Sequence, residues 1–338
     1  DWSSDVCSSD LGYENYNALF SLKQSIVISN SVFKQNSMSI ITLNPYNYSS
    51  YSLSSGYNLN GRYAYVINSS FINNVFRDSN NRYGSAAVGL LIHDSYSTFN
   101  GYVDNCTFIG NRGALVVANS VEGSTFIDNI GQAYGGESLV VADVINSSEF
   151  YGNLNRYVDG TGAYIGEGIA SADTILCSIF INNTASFGGA VYNAKEVHYC
   201  VFVNNTAKYE GNDIFSKGNG DYSSNWWGDN QKPDSDKVFI FLGDLKLDDW
   251  VVMSFESVSA YNVVVSLSKV LDVNGNYHKL NVSMPIRPVQ FITDGVTISP
   301  DSSFVVNNYA YANITYAPNA SDFKVSAIID NQVMDVDI

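Results

Sequence analysis

The chain has 338 residues and a formal net charge of −16, yet only 15% of it is Asp, Glu, Lys or Arg, against roughly 25% in an average soluble domain. With 17 Lys and Arg against 33 Asp and Glu, it lacks the clustered positive charge that nucleic acids and anionic membranes select. Its polarity comes from 39 Asn and 44 Ser beside 24 Tyr and 18 Phe, which is typical of β proteins with Asn- and Gly-rich turns. No run of about 18 apolar residues occurs, so no transmembrane helix is predicted.

The first segment, 1–11, reads DWSSDVCSSDL and lacks the basic start and apolar stretch of a signal peptide. It closely resembles the translation of a sequencing adapter. We therefore predict that this segment, with Trp2 and Cys7, does not belong to the native protein and that the chain is part of a longer one. The alternative is a flexible native start.

One pattern, [VI]-x-x-[SC]-x-F-x-x-N, recurs seven times in the first two thirds of the chain. Its Phe residues are Phe33, Phe71, Phe108, Phe126, Phe150, Phe180 and Phe202, and its Asn residues are Asn36, Asn74, Asn111, Asn129, Asn153, Asn183 and Asn205. Successive Phe residues are 18 to 38 positions apart. This spacing is too irregular for a helical repeat and favours short strands with variable loops.

We predict that residues 12–247 form a right-handed parallel β-helix in which equivalent residues stack at about 4.8 Å per coil. The Phe and aliphatic columns then fill the interior, and the small Ser or Cys fits beside the Phe stack. We expect the repeated Asn to take a left-handed turn conformation and to bond to the next coil. A loop excursion is predicted over 44–60. The ladder residues assigned most firmly are Phe108, Phe126, Phe150, Phe180, Phe202, Asn111, Asn129, Asn153, Asn183 and Asn205.

The cysteines are predicted to remain unpaired. Cys106 and Cys200 share one column but lie four repeats apart, about 19 Å at about 4.8 Å per coil, which exceeds disulfide reach. Cys177 is one position out of that column and should face elsewhere. We expect the thiols to act as small buried groups.

A family resemblance enters at 182–193, which reads NNTASFGGAVYN. FxxN followed by GGA resembles repeats of chlamydial polymorphic outer-membrane proteins and, more closely, β-helical adhesin-like surface proteins of host-associated methanogenic archaea. In that family a NWWG segment closes the array, and Asn225 to Gly228 match it here. The resemblance implies a cap around 225–233, with Trp226 and Trp227 covering the open end; an aromatic sugar platform is the alternative for this pair.

After about residue 248 the repeat gives way to short alternating strands separated by turn signals such as Asn274-Gly275 and Asp294-Gly295. Residues 248–338 are therefore predicted to form an immunoglobulin-like β-sandwich without a disulfide. P-x-x-P-V-x-F at 285–291 and A-x-A-x-I-x-Y at 310–316 resemble the bacterial immunoglobulin-like repeats of invasin-type adhesins. That resemblance implies a stalk or spacer.

No catalytic, cofactor-binding or metal-binding residue is predicted. The three histidines, His93, His198 and His278, are scattered, and no metalloprotease, nucleotide-binding or hydrolase motif occurs. The enzymatic alternative is a polysaccharide lyase or glycoside hydrolase, for which Asp143 and Asp173 are the candidate pair. They lie seven positions before successive repeat Phe residues, in a column with Asn119 and Lys195; stacking would bring them near the roughly 5 Å spacing of retaining glycosidases.

Nine N-x-[ST] sequons make N-glycosylation a further expectation for an exported protein. They begin at Asn47, Asn68, Asn105, Asn146, Asn182, Asn204, Asn281, Asn313 and Asn319. The function expected from the resemblance is a non-enzymatic, extracellular, adhesin-like surface protein whose partners are host or microbial glycans or surface proteins, with no cofactor. A carbohydrate-active enzyme and a structural surface-layer component are the alternatives.

Overall fold

The computed structural model describes residues 18–21, 26–35, 39–42, 63–75, 88–89, 100–113, 115–131, 138–155, 167–316 and 324–337. Within these ranges the protein is all-β. No helix suited to crossing a membrane occurs in the described ranges. The predicted excursion over 44–60, His93 and the segment 1–11 lie outside them.

The first 27 strands are short and pair in parallel. They are β1 (Ala18–Ser21), β2 (Ile26–Ser29), β3 (Val32–Lys34), β4 (Ser39–Thr42), β5 (Tyr63–Ile67), β6 (Ser70–Ile72), β7 (Val88–Gly89), β8 (Asn100–Asp104), β9 (Thr107–Ile109), β10 (Val116–Val117), β11 (Ser120–Glu122), β12 (Thr125–Ile127), β13 (Ile130–Gly131), β14 (Val140–Asn146), β15 (Glu149–Tyr151), β16 (Leu154–Asn155), β17 (Ala170–Leu176), β18 (Ile179–Ile181), β19 (Thr184–Phe187), β20 (Val191–Tyr192), β21 (Glu196–His198), β22 (Val201–Val203), β23 (Thr206–Glu210), β24 (Ile214–Ser216), β25 (Gly220–Asp221), β26 (Val238–Ile240) and β27 (Leu245–Lys246).

The remaining strands are mostly longer and pair in antiparallel fashion. They are β28 (Asp249–Ser259), β29 (Asn262–Asp272), β30 (Tyr277–Lys279), β31 (Arg287–Asp294), β32 (Val296–Ser299), β33 (Ser302–Val305), β34 (Tyr309–Tyr316), β35 (Lys324–Ile329) and β36 (Gln332–Asp337).

Three parallel sheets are built from β1 to β27. Sheet A has 16 strands, sheet B has seven in the order β22-β18-β15-β12-β9-β6-β3, and sheet C has four in the order β13-β16-β19-β23. The chain visits the sheets in rotation, so that β14, β15 and β16 in sheets A, B and C are followed by β17, β18 and β19 in the same sheets. Each strand pairs with its equivalent one circuit later, and we call one circuit a rung.

The repeat Phe residues form a single buried stack along the inner side of sheet B. Pairing is in register, as for Phe126 with Phe150 and Phe150 with Phe180. Neighbouring ring centroids are 4.7 to 5.2 Å apart with nearly parallel planes. The aliphatic repeat residues form a second buried column in sheet A, where Val121 pairs with Ile145 and Ile145 with Ile175.

The prediction that the repeat Asn takes a left-handed conformation is wrong. The positive φ falls one residue earlier, at Asn73, Gly110, Asp128, Gly152, Asn182 and Asn204. A second left-handed corner precedes the Ser/Cys column, at Asn30, Asn68, Asn105, Gly123, Ser147, Cys177 and Tyr199. The chain turns at these corners. The residue after each corner, a repeat Asn or a Ser/Cys residue, therefore points its side chain into the interior.

From Asp249 onward, two antiparallel sheets replace the parallel ones. Sheet D has the order β28-β29-β34-β32 with β30 beside β29, and sheet E has the order β33-β31-β35-β36. Burial alternates along β31 and β34, because successive strand residues point to opposite faces. Val263, Val265 and Phe291 are among the residues of their shared apolar core.

Sheets D and E pack against the outer side of sheet B near its last rungs. Ile179, Val201 and Val203 point away from the Phe stack, and they are buried in the same apolar cluster as Val251 and Phe291. The outer residues of the earlier rungs are exposed or half-buried, whether polar, as at Thr107 and Thr125, or aliphatic, as at Val32, Ile109 and Ile127. The full burial of the outer aliphatic residues therefore marks where the two regions meet.

Candidate functional site

The Ser/Cys column is a hydrogen-bonded ladder inside the stack. The backbone N–H of Ser124 donates to Oγ of Ser148 at 3.2 Å, and that of Ser148 donates to Oγ of Ser178 at 3.1 Å. Each side chain also donates to a carbonyl two residues earlier, as Ser148 does to Asn146. Each position in this column therefore requires a side chain that is small and that both donates and accepts a hydrogen bond. The sequence pattern indicates the small size but not the hydrogen bonding.

The repeat Asn residues form a second internal ladder. The backbone N–H and Nδ2 of Asn129 both donate to Oδ1 of Asn153, at 3.0 and 2.9 Å. Nδ2 of Asn153 also donates to the carbonyl of Phe126 at 2.9 Å, which ties this ladder to the Phe stack. The same bonds recur from Asn74 to Asn205. These side chains are fully engaged in the architecture and offer no group for ligand chemistry.

The Asn ladder ends on a buried carboxyl group. Nδ2 of Asn205 donates to Oδ1 of Asp213 at 2.9 Å, and Asp213 is 3% exposed. Burial raises the pKa of Asp213 to about 7, against the opposing effect of the Asn205 hydrogen bond. A carboxylic acid that titrates near neutrality thus lies at the last rung of this ladder.

The candidate catalytic pair lies on the solvent side of sheet A, where both carboxylates have partners. Oδ2 of Asp143 accepts from Nδ2 of Asn119 at 2.9 Å, and Oδ2 of Asp173 pairs with Nζ of Lys195 at 2.8 Å. Asp143 and Asp173 occupy equivalent positions in the parallel pairing of β14 with β17. Both side chains are exposed to solvent.

The cysteines and the described histidines serve the fold. Cys106, Cys177 and Cys200 are free thiols. Burial raises the pKa of Cys106 to about 11 and raises the pKa of Cys200 further, so these thiols stay neutral and unreactive. Nδ1 of His198 lies 2.9 Å from the carbonyl oxygen of Ser223. In the described ranges, no group of three or more His, Cys, Asp or Glu is placed to hold a metal ion.

The NWWG segment forms an eighth rung. Asn225 occupies the Ser/Cys column and accepts from the N–H of Cys200 at 2.8 Å, while the Trp227 ring stacks on Phe202 at 4.9 Å. Tyr222 holds the aliphatic position and is fully buried. The pattern Y-x-x-N-x-W has the repeat's spacing but different residue types, which is why the repeat consensus missed it.

The two Trp residues have different roles. Trp227 extends the Phe stack, whereas Trp226 points outward into the core of sheets D and E. Nε1 of Trp226 donates to Oδ2 of Asp330 at 2.7 Å, and Asp330 also accepts from Arg287 in a buried ion pair. A third tryptophan, Trp250, belongs to the same apolar cluster as Trp227, and its Nε1 donates to the carbonyl of Asn230 at 3.0 Å.

The sequon residues fall largely on exposed corners. Asn68, Asn105, Asn182 and Asn204 have positive φ and exposed side chains. Asn281 and Asn313 are exposed on the antiparallel region, Asn146 is half-buried, and Asn47 and Asn319 lie outside the described residues. Asn is favoured at left-handed corners, so the fold itself accounts for several of these sequons.

The surface with the most regular presentation is the outer side of sheet A. One column there runs in unbroken register over eight rungs, and none of its side chains is buried: Tyr65, Tyr102, Ser120, Val144, Thr174, Glu196, Asp221 and Lys246. A second column beside it carries Ile67, Asp104, Glu122, Asn146, Leu176 and His198. We call these two columns the ladder face. The rings of Tyr65 and Tyr102 stack at 4.9 Å at one end of it.

Comparison with known proteins finds no relative of the chain. No family model, no curated protein and no solved structure matches the chain.

Proposed function

We propose that the protein is a non-enzymatic, extracellular adhesin-like surface protein that attaches to glycans or partner surface proteins through the ladder face. The observation that carries the proposal is the column from Tyr65 to Lys246, whose half-buried and exposed side chains follow eight rungs in unbroken register. At about 4.8 Å per rung it extends over about 34 Å. Such a surface suits an extended partner better than a small molecule.

The finer fold is part of the proposal. Sheets A, B and C are proposed as the faces of a right-handed parallel β-helix, and sheets D and E as an immunoglobulin-like β-sandwich. Support comes from the rotation of the chain through sheets A, B and C and from the in-register Phe stack. The two antiparallel sheets around one apolar core support the second assignment.

The pairing of the candidate catalytic carboxylates favours a binding role over a lyase or hydrolase. Retaining glycosidases need one carboxylate free to attack and another protonated to donate. Here Asp173 is held by Lys195, and Asp143 accepts from Asn119 on an exposed face. The resemblance to adhesin-like surface proteins of methanogenic archaea adds the proposed surface location.

The test is to place the purified protein on arrays of glycans and surface proteins and to assay the bound glycans for cleavage. We expect saturable binding without turnover, weakened at least tenfold by Thr174→Arg in the ladder face. Tyr277→Arg, at a side chain 66% exposed on β30, is the matched control and should bind normally. Cleavage products would replace the proposal with the enzymatic alternative, and absence of any binding would favour a structural surface component.

A further inference from the structure

A group of aromatic side chains lies outside both apolar cores, at the corner where sheet C meets sheet A. We call it the aromatic corner: Phe187, Tyr192, Tyr209, Phe215 and Phe239. Tyr192, Phe215 and Phe239 form a column on successive rungs, with ring centroids 5.4 and 5.6 Å apart. Phe187 joins this column to Tyr209, at 5.1 Å from Phe215 and 5.0 Å from Tyr209. None of the five belongs to the repeat consensus.

The open end of the column is accessible. Phe239 is half-buried on β26, which among the described strands pairs only with β24 and so forms an edge of sheet A. The next residues, Phe241 and Leu242, are 63% and 66% exposed. Phe241 donates its N–H to the carbonyl of Ser216 at 2.8 Å, which fixes its backbone beside Lys217.

Polar groups lie among these rings. Nζ of Lys217 is 4.9 Å from the centroid of Tyr192 and 3.6 Å from the carboxylate of Glu167. A side-chain hydrogen bond with the Tyr192 hydroxyl raises the pKa of Lys217, so the ammonium group and the hydroxyl are close. Lys208 lies over Tyr209 at 4.9 Å. With Glu167 and Glu210 nearby, the corner is close to neutral on a chain of net charge −16.

We infer that the aromatic corner, together with Phe241, binds a neutral polysaccharide. The C–H faces of pyranose rings are attracted to the electron-rich faces of aromatic rings. Phe239 presents such a ring at the edge of the column, and Phe241 presents an exposed ring two residues further along the chain. Lys217, Glu167 and the Tyr192 hydroxyl supply donors and acceptors for sugar hydroxyls. The net charge of −16 repels anionic glycans. The inference rests on the proposed attachment function and names a ligand class and a second site for it.

The test measures binding of the full chain to immobilised hexasaccharides of β-linked glucose, of N-acetylglucosamine and of a uronic acid. We expect binding to at least one neutral hexasaccharide and weaker binding to the anionic one. Phe241→Leu keeps an apolar side chain but removes the ring, so we expect affinity to fall at least tenfold, while Phe241→Tyr stays within about twofold of the unchanged protein. Phe304→Leu, at a ring 60% exposed on β33, is the matched control and should have no effect.

The other outcomes overturn the inference in distinguishable ways. Neutral sugar binding that survives both Phe241→Leu and Phe239→Leu would place the site elsewhere and leave the attachment function intact. Binding to proteins but to no hexasaccharide, lost with Phe241→Ala and kept with Phe241→Leu, would identify an apolar polypeptide as the partner. Preference for the uronic acid would overturn the ligand class. Absence of binding to sugars and proteins alike would overturn both this inference and the proposed function.

Discussion

The parallel and antiparallel regions of this protein keep their strands in register by different means. In sheets A to C, buried Ser, Cys and Asn side chains bond one rung to the next, as from Asn129 to Asn153. In sheets D and E, register follows from alternating burial, with Phe291 and Val289 inside and Gln290 outside. The comparison shows that a parallel stack of strands of two to seven residues needs side-chain bonds to specify register, whereas the apolar pattern specifies the longer antiparallel strands, which have six to eleven residues.

The largest effect is expected where the two regions meet. Asp330→Asn removes the charge that pairs with Arg287 inside the contact between sheets B and E, leaving a buried guanidinium uncompensated at a cost of about 3–5 kcal/mol. Asn tolerates the φ of 53° at this position. Urea unfolding should show the loss. Asp335→Asn, at the exposed pair with Lys324 in the same sheet, should change the midpoint little; equal effects for both variants would contradict a special role for the buried pair.

The Asn ladder provides the second test. Asn153→Ala removes the acceptor of two donors on Asn129 and the donor to the Phe126 carbonyl, and unsatisfied buried groups should reduce the free energy of unfolding by about 3 kcal/mol. Asn146→Ala is the control, because Asn146 is half-buried and its side chain makes two exposed bonds of 3.3 Å, one donated to Glu122 and one accepted from Ser147. If both substitutions cost the same in urea unfolding, the ladder does not hold the rungs together as we describe.

The end of that ladder predicts a dependence on pH. Since the pKa of Asp213 is raised to about 7 in the folded protein, the folded state holds a proton that the unfolded state releases near pH 4. The proton on Asp213 therefore stabilises the folded state fully below about pH 4 to 5, and this stabilisation is lost as the pH rises through 7. Asp213→Asn removes the buried charge and extends the ladder by one amide, so it should stabilise the protein by about 2 kcal/mol at pH 8.

The pH test compares thermal unfolding of Asp213→Asn and the unchanged protein at pH 4.5 and pH 8. The gain should shrink toward zero at pH 4.5, where the folded carboxyl group is already protonated. Asp221→Asn is the control, because the pKa of Asp221, which bonds to Lys246, is lowered; its effect should have the opposite sign at pH 8. A gain that is the same at both pH values would show that Asp213 is not the titrating group.

The smallest expected difference compares the two cores directly. Phe150 stacks at 4.7 Å on Phe126 and on Phe180, whereas Phe291 makes one tilted contact with Phe255 at 6.3 Å. Phe150→Leu should therefore cost about 1–2 kcal/mol more than Phe291→Leu in urea unfolding, since each stacked pair contributes about 0.5–1.5 kcal/mol. The reverse order would mean that stacking adds nothing to the burial of the ring.

The sequence predicts the interior of the parallel region well because each column is restricted to one or two residue types. Seven Phe residues at one fixed spacing specify a column, and the structure stacks them. The eighth rung is harder to find, since Tyr222, Asn225 and Trp227 substitute different residues at three of the four restricted positions and Asn230 alone keeps the consensus. The consensus also does not predict the left-handed corners, because they are occupied by many residue types: Asn, Gly, Asp, Gln, Ser, Cys and Tyr.

The contacts between the parallel and antiparallel regions cannot be recognised from any local sequence pattern. Trp226 and Asp330 are 104 positions apart, and the bond exists only because sheets D and E pack on the outer side of sheet B. A spacer independent of the stack, as the resemblance to invasin-type repeats implies, would not bury Ile179 or Val203. In the column that contains Ile179 and Val201, the four rungs immediately before them carry Ser, Thr or Glu. This change in residue type marks the contact, and it is recognisable only once the rungs are aligned.

The internal ladders have a direction. The backbone N–H groups of the Ser/Cys residues, as at Ser124 and Ser148, and of the repeat Asn residues from Asn74 to Asn183 donate toward the C-terminal neighbour, whose side chain accepts. Each rung thus consumes one acceptor and supplies one on each ladder, whatever the length of its loops. A gene can consequently gain or lose a whole rung by duplication or deletion without leaving any neighbour unpaired, which makes the length of the stack a trait that evolution can adjust in single steps.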